Sequence, residues 1–189
     1  MVTLDETAKA LEGVYRIAVF DRAGVASFGK DLRSCARSFW AYAIALPAIL
    51  LLIAVSVIYK NPHDPALLAI SELVGDVIQA AGFPLLLLPM LRWFGRRERW
   101  AWFVTGYNWF SMAQTIVITV LVCVLADLPS GALGGAVLDA ADIYFYVLEA
   151  YLAFAILEIT AWRAVLVLLL DFAFGNGIAQ LALWIGGAS

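Results

Sequence analysis

Residues 92–99 read Arg92-Trp93-Phe94-Gly95-Arg96-Arg97-Glu98-Arg99. Four of these eight residues are arginine, and the turn lies between two apolar runs that are each long enough to cross a bilayer. One basic turn between two spans fixes which way both point, and by alternation it fixes every other span. Outward from this turn the chain reads as an all-α, polytopic transmembrane helical bundle with five spans and an N-terminal interfacial amphipathic helix.

Composition agrees. Of 189 residues, 64% are hydrophobic and only 14% charged, against roughly half and about a quarter in soluble chains. One soluble core cannot hide that much apolar surface, whereas a bilayer accommodates it. The net charge of −3 argues against a nucleic-acid partner. Cys35 and Cys123 are far apart, one at a membrane entrance and one inside a span, and neither has a second Cys or a His at metal-ligand spacing. No metal, cofactor or catalytic residue is expected. The first 35 residues have no short apolar core before a small-residue site, so no signal peptide is expected.

Residues 1–37 form the expected cytoplasmic N-terminal segment and 38–186 the five-helix domain. Thr3-Leu4-Asp5-Glu6 fits a capping box. Leu4, Ala8, Leu11, Tyr15 and Ala18 then recur at helical spacing, which predicts a helix lying on the cytoplasmic surface. The alternative is a helix packed on the protein's own loops. The spans fall at about 38–59, 66–91, 100–126, 137–160 and 164–185. Trp40, Tyr42 and Tyr59 mark the interfaces of the first, and Gly82, Pro84 and Pro89 predict a bend in the second. Asn108, Ser111 and Thr115 share one face of the third. The loop Asp127-Leu128-Pro129-Ser130 has no basic residue, and the short link around Trp162-Arg163 predicts a tight hairpin of the last two spans, or one bent helix.

Counting the 12 basic residues orients the bundle. Lys9, Arg16, Arg22, Lys30, Arg33 and Arg37 precede the first span. Arg92, Arg96, Arg97 and Arg99 follow the second, and Arg163 follows the fourth. Only Lys60 lies on the other side, an eleven-to-one split. The positive-inside rule then places the N-terminus in the cytoplasm and the C-terminus outside. Short loops without an Asn-x-Ser/Thr acceptor suit a bacterial cytoplasmic (inner) membrane.

Ionisable groups within spans are costly and usually face the bundle interior. The candidate intramembrane polar site comprises Glu72, Asp76 and Gln79 in the second span, Asp142, Tyr146 and Glu149 in the fourth, and Asp171 in the fifth. Asp76 and Glu149 are its centre if the acids line a path for protons or cations. Otherwise the acids are protonated or hydrogen-bonded and hold helices together. Tyr144, Tyr151 and Glu158 lie on the opposite face of the fourth span, where Glu158 is close enough in sequence to pair with Arg163. Arg92, Arg96, Arg97 and Arg99 are candidate contacts for anionic lipid headgroups, each contributing about 1 kcal/mol near a charged surface.

The run from Phe83-Pro84-Leu85 to Arg97, then Phe103 to Ala113 with Gly106-Tyr107, and the stretch Tyr151 to Leu168 with Trp162-Arg163-Ala164 resemble the Yip family of five-span membrane proteins. The resemblance implies a cytosolic N-terminus, five helices, no catalysis and a scaffold-like membrane role. The first expectation is therefore a non-enzymatic scaffold or adaptor for membrane lipids or partner proteins, a second copy of the chain among them. The alternative is a small proton/cation-coupled transporter or conductor that uses the intramembrane carboxylates. The two are separated by whether Asp76, Glu149 and Asp171 converge on a hydrated cavity or each find a partner in a dry bundle.

Overall fold

Each helix starts and stops where local chemistry dictates. A computed structural model describes residues 2–125 and 131–187. The chain folds into α1 (Leu4–Ala18), α2 (Leu32–Ser38), α3 (Trp40–Lys60), α4 (Pro65–Phe94), α5 (Trp100–Leu125), α6 (Gly131–Leu157) and α7 (Ala161–Gly186), with no strand among the described residues. Thr3 and Glu6 form the capping box of α1, and Asp31 and Asp64 cap α2 and α4 by accepting from backbone N–H groups. Asn61 and Gly95 end α3 and α4 in the left-handed region. Five helices are long and apolar enough to cross a membrane. The loop at 127–130 lies outside the described residues.

The boundaries of the spans match those expected to within a few residues, with two differences. The fourth helix begins at Gly131 rather than near 137, because the glycines that read as loop are tolerated in a helix end. The first is preceded by the separate turns of α2, whose Ser38 is buried. The link between α6 and α7 is a break, not a bend: Glu158 takes a positive φ of 50°, and the two helices pack against each other as a hairpin.

The closest packing in the bundle is between α4 and α7. A Cβ on Gly186 would stand 2.9 Å from the Leu68 Cα, and one on Gly82 would stand 2.6 Å from the Phe174 ring. Leu68 faces Gly186, Gly75 faces Ile178, Gln79 faces Gly175 and Gly82 faces Phe174. These pairs run in opposite senses along the two chains, so the helices are antiparallel and in fixed register. Small residues let backbones approach where lipid gives helices no hydrophobic reason to associate.

The N-terminal segment packs on α5 and α6. Its first helix has three faces. Ala10, Gly13, Val14 and Ile17 are buried, with Val14 and Ile17 joining Phe28, Leu148 and Leu152 in the main core. A second face carries the ion pairs Lys9–Asp5 and Arg16–Glu12 at 2.9 Å each. The third holds Leu4, Leu11 and Tyr15, which remain exposed, Leu4 at 91%. The stripe read from the sequence is therefore the outward face, and the packing face is the smaller-residue one beside it. Tyr144 and Tyr151 donate to the carbonyls of Ala18 and Phe20, the Trp102 indole donates to the Val25 carbonyl at 3.0 Å, and Arg37 pairs with Glu6.

Gly82→Leu should cost about 1–3 kcal/mol by overpacking the seam, while Gly177→Leu, where nothing lies within 4 Å of a new Cβ, should cost none. Thermal unfolding of the purified variants in detergent micelles checks both, and equal stabilities would mean the seam is loose.

Candidate functional site

Four helices leave a cavity of about 430 Å³ between them. Tyr42 and Ser56 reach it from α3, Asp76 and Gln79 from α4, Tyr107 and Ser111 from α5, and Gly175 comes from α7. Ile49, Leu52, Ile53, Ile178 and Ala182 give it aliphatic walls, and Lys60, Glu72 and Thr115 also reach it. Because α3 runs from Trp40 to Lys60, a cavity touching both Tyr42 and Lys60 extends along most of the bundle. Lys60, the last residue of its helix, is 42% exposed and marks the mouth.

The mouth is held by an ion pair. Glu72 accepts from Lys60 Nζ at 3.0 Å and from Ser56 Oγ at 2.6 Å. Asp76, one helical turn further along α4, is an exposed residue that also lines the cavity. Among the described residues it has neither an ion pair nor a hydrogen-bond partner in its side chain. The pair Glu72 and Asp76 share a face because they are four residues apart.

Deeper in the bundle, the α4–α7 seam creates a buried polar knot. Gln79 Nε2 donates to Asp171 Oδ1 at 2.5 Å, and the Tyr107 hydroxyl donates to Asp171 Oδ2 at 2.8 Å. Gly175 makes room for the amide: a Cβ there would sit 3.3 Å from Gln79 Nε2. Glu149, on α6, is buried near Asp171. Its side chain is 5% exposed. Glu149 Oε1 and Gln79 Oε1 are buried with no hydrogen-bond partner. Acceptors outnumber donors here, unlike an ordinary buried network. At a 1.5 Å rise per residue, Asp171 lies about 15 Å and Glu149 about 12 Å from the ends of their helices at the arginine turn.

The closed end of the cavity is a hydrogen-bonded plug. The Tyr42 hydroxyl donates to Asn108 Oδ1 at 3.4 Å, Asn108 Nδ2 donates to Ser38 Oγ at 2.9 Å, and Ser38 Oγ donates to the Cys35 carbonyl at 2.7 Å. Ser38 also lines a second, smaller cavity of about 170 Å³, together with Glu6, Lys9, Ser34, Arg37 and Thr105. The two cavities therefore approach each other from opposite ends and are separated by three side chains.

Of the residues expected from sequence, the structure brings Glu72, Asp76 and Gln79 to the large cavity and Glu149 and Asp171 to the knot behind it. Asp142 is exposed and joins neither. Tyr146 packs edge-on against Phe172 at 5.6 Å, outside the knot. Glu158 does not pair with Arg163. It binds Arg99 at 2.7 Å and reaches Arg22 at 3.9 Å, because its left-handed backbone turns it toward the arginine turn. Arg163 instead lies over the Phe94 ring at 5.2 Å. The arginine turn itself divides: Arg99 also donates to the Ile156 carbonyl at 2.8 Å and Arg96 to that of Glu158 at 3.4 Å, whereas Arg92 and Arg97 are exposed.

Tyr42, Tyr107 and Ser38 are the members sequence reasoning missed. Tyr42 read as an interface aromatic, and it turns its hydroxyl inward. The available signal was spacing: Ser38 and Tyr42 are four residues apart, on the helical side that meets the polar face of α5. No family model, curated protein or solved structure matches this chain.

The contact between Gln79 and Asp171 should show a coupling of about 0.6–2 kcal/mol in a double-mutant cycle of Gln79→Ala and Asp171→Ala. Denaturant unfolding in micelles measures it, and strict additivity would mean the two side chains do not support each other.

Proposed function

We propose that this is a five-span integral membrane protein that moves protons across the bilayer, a small proton-coupled transporter or conductor. The observation that carries this reading is the continuity of polar side chains through otherwise apolar helices. They run from Lys60 and Glu72 at the mouth, through Asp76 and Gln79, to Asp171 and Glu149. Each charged side chain placed at mid-membrane costs about 2.5–3.5 kcal/mol on insertion scales. Tyr, Ser and Asn would hold the same helices together at lower cost, so holding helices together does not account for Asp76, Glu149 and Asp171.

The knot suits proton exchange. Two bare carboxylates repel at close range, so a proton taken up by either Glu149 or Asp171 relieves the repulsion between them. Gln79 and Tyr107 donate to Asp171 and steady whichever oxygen is charged. The unpartnered Glu149 Oε1 and Gln79 Oε1 offer sites to which a proton or water can move. Exchange with the other side requires the Tyr42–Asn108–Ser38 plug to part, a small rearrangement of the kind that separates alternate access states.

Orientation follows from the eleven-to-one distribution of basic residues. With the arginine turn in the cytoplasm of a bacterial cell, the mouth at Lys60 faces outward and the smaller cavity inward. The N-terminal helix then lies at the cytoplasmic headgroups, with exposed Leu4, Leu11 and Tyr15 toward lipid. That same exposed face, with free-standing Arg92 and Arg97, favours the second reading, a scaffold that docks anionic lipids or a partner, as the Yip resemblance implies. On the scaffold reading the interior acids serve only to hold helices together.

Protein in vesicles enclosing a pH-sensitive dye should acidify the lumen under an imposed potential. Asp76→Asn and Glu149→Gln should each reduce that flux by tenfold or more while leaving the unfolding midpoint near wild type. Flux no greater than in protein-free vesicles, or unchanged flux in both variants, removes the proposal.

A further inference from the structure

We propose that the large cavity binds a small amphiphilic ammonium ion, an amine carrying an aromatic or branched apolar body, with its charge on Asp76. The inference rests on the proton-handling reading above and names what exchanges against the proton. Three features of the cavity define the ligand.

The first is charge. The only basic side chain at the cavity is Lys60, which is already paired to Glu72 at 3.0 Å. Asp76 lines the same cavity and has no partner among the described residues, and Asp171 stands behind the wall formed by Gln79 and Tyr107. An anion entering this space meets uncompensated acid. A monovalent cation meets a carboxylate that has nothing else to bind.

The second is polarity. Ile49, Leu52, Ile53, Ile178 and Ala179 line the same cavity as that carboxylate. Inorganic cations need several oxygen ligands at short range, and no cluster of three or more metal-ligating side chains occurs among the described residues. One unpaired carboxylate in a cavity with aliphatic side chains instead matches a ligand whose charge is small and whose remaining surface is hydrocarbon.

The third is size. At about 430 Å³, the cavity falls in the range of roughly 300–1,000 Å³ that encloses small organic ligands. Tyr42 and Tyr107 close its deep end, where aromatic residues are suited to an organic body or to a cationic head. A proton taken up by the Glu149–Asp171 pair removes negative charge that otherwise favours an ammonium ion on Asp76. Occupancy by one therefore disfavours the other, which is what exchange requires.

The test uses the full chain in lipid nanodiscs and three probes of one shape. These are 3-phenylpropan-1-ammonium, the neutral 3-phenylpropan-1-ol and the anionic 3-phenylpropanoate, titrated by calorimetry. The ammonium probe should bind at least tenfold more tightly than the alcohol, with no binding of the carboxylate. Asp76→Asn should weaken the ammonium probe tenfold or more, Asp76→Glu should recover most of it, and Glu98→Gln on the surface should change nothing. Equal affinity for ammonium and alcohol, or no ammonium binding, overturns the inference, as does an unaltered affinity in a folded Asp76→Asn. Proton flux without ammonium binding would leave the proton reading standing and remove this one. Ammonium binding in a protein that passes no protons would do the reverse.

Discussion

The contact of α4 with α7 is the constraint from which the rest of the bundle takes its form. Glycines at 75, 82, 175 and 186 let the two backbones approach so closely that added methyl groups would overlap Ile178, Phe174, Gln79 and Leu68. Nothing else fixes the register so tightly. With that register set, Gln79 has one place to go, across Gly175 and onto Asp171. Tyr107 and Glu149 then converge on the same carboxylate from α5 and α6. Meanwhile α3 packs chiefly on α5, which leaves the cavity between α3 and the seam.

The polar groups follow a gradient of satisfaction along this cavity. Glu72 at the mouth has both a cation and a hydroxyl, Asp76 has neither, and Asp171 has two donors but shares its surroundings with Glu149. A structural network would satisfy its deepest members best, since unpaired groups cost most where water is absent. Here the acid at the mouth is compensated, while Asp76 has no partner and Glu149 Oε1 and Gln79 Oε1 are buried without one. That inversion is expected where occupancy by a proton or a ligand completes the network.

Five helices, their lengths and the concentration of arginine at one end were all legible in the sequence, because hydropathy over about twenty residues and a count of charges need no tertiary information. The capping box at Thr3 and Glu6 was legible for the same reason: it is local. Glu72, Asp76, Gln79, Glu149 and Asp171 stood out as acids and amide in spans, and the fold does gather them. Asp142 carried the same signal yet stays exposed, since its position relative to α7 depends on a register that no local pattern encodes. Tyr42 was hidden by its own ambiguity, as a tyrosine near a helix start suits an interface as well as an interior. Glu158 was misassigned to Arg163 because the positive φ that redirects it is set by the tight α6–α7 turn. For α1, the larger residues at 4, 11 and 15 drew attention away from Ala10, Gly13 and Val14, whose small size is what allows close packing on α5 and α6.

The central claim is that water enters this bundle from the Lys60 end and stops at the Tyr42–Asn108–Ser38 plug. Ser111 lines the cavity, and a thiol there reacts only where water lets it ionise. In vesicles holding the chain with Cys35→Ala, Cys123→Ser and Ser111→Cys, a membrane-impermeant cationic thiosulfonate should label the cysteine when added on the Lys60 side and not from the arginine side. Labelling from neither side would mean a dry, structural bundle, and labelling from the arginine side alone would place the opening at the wrong end. Either result contradicts the account.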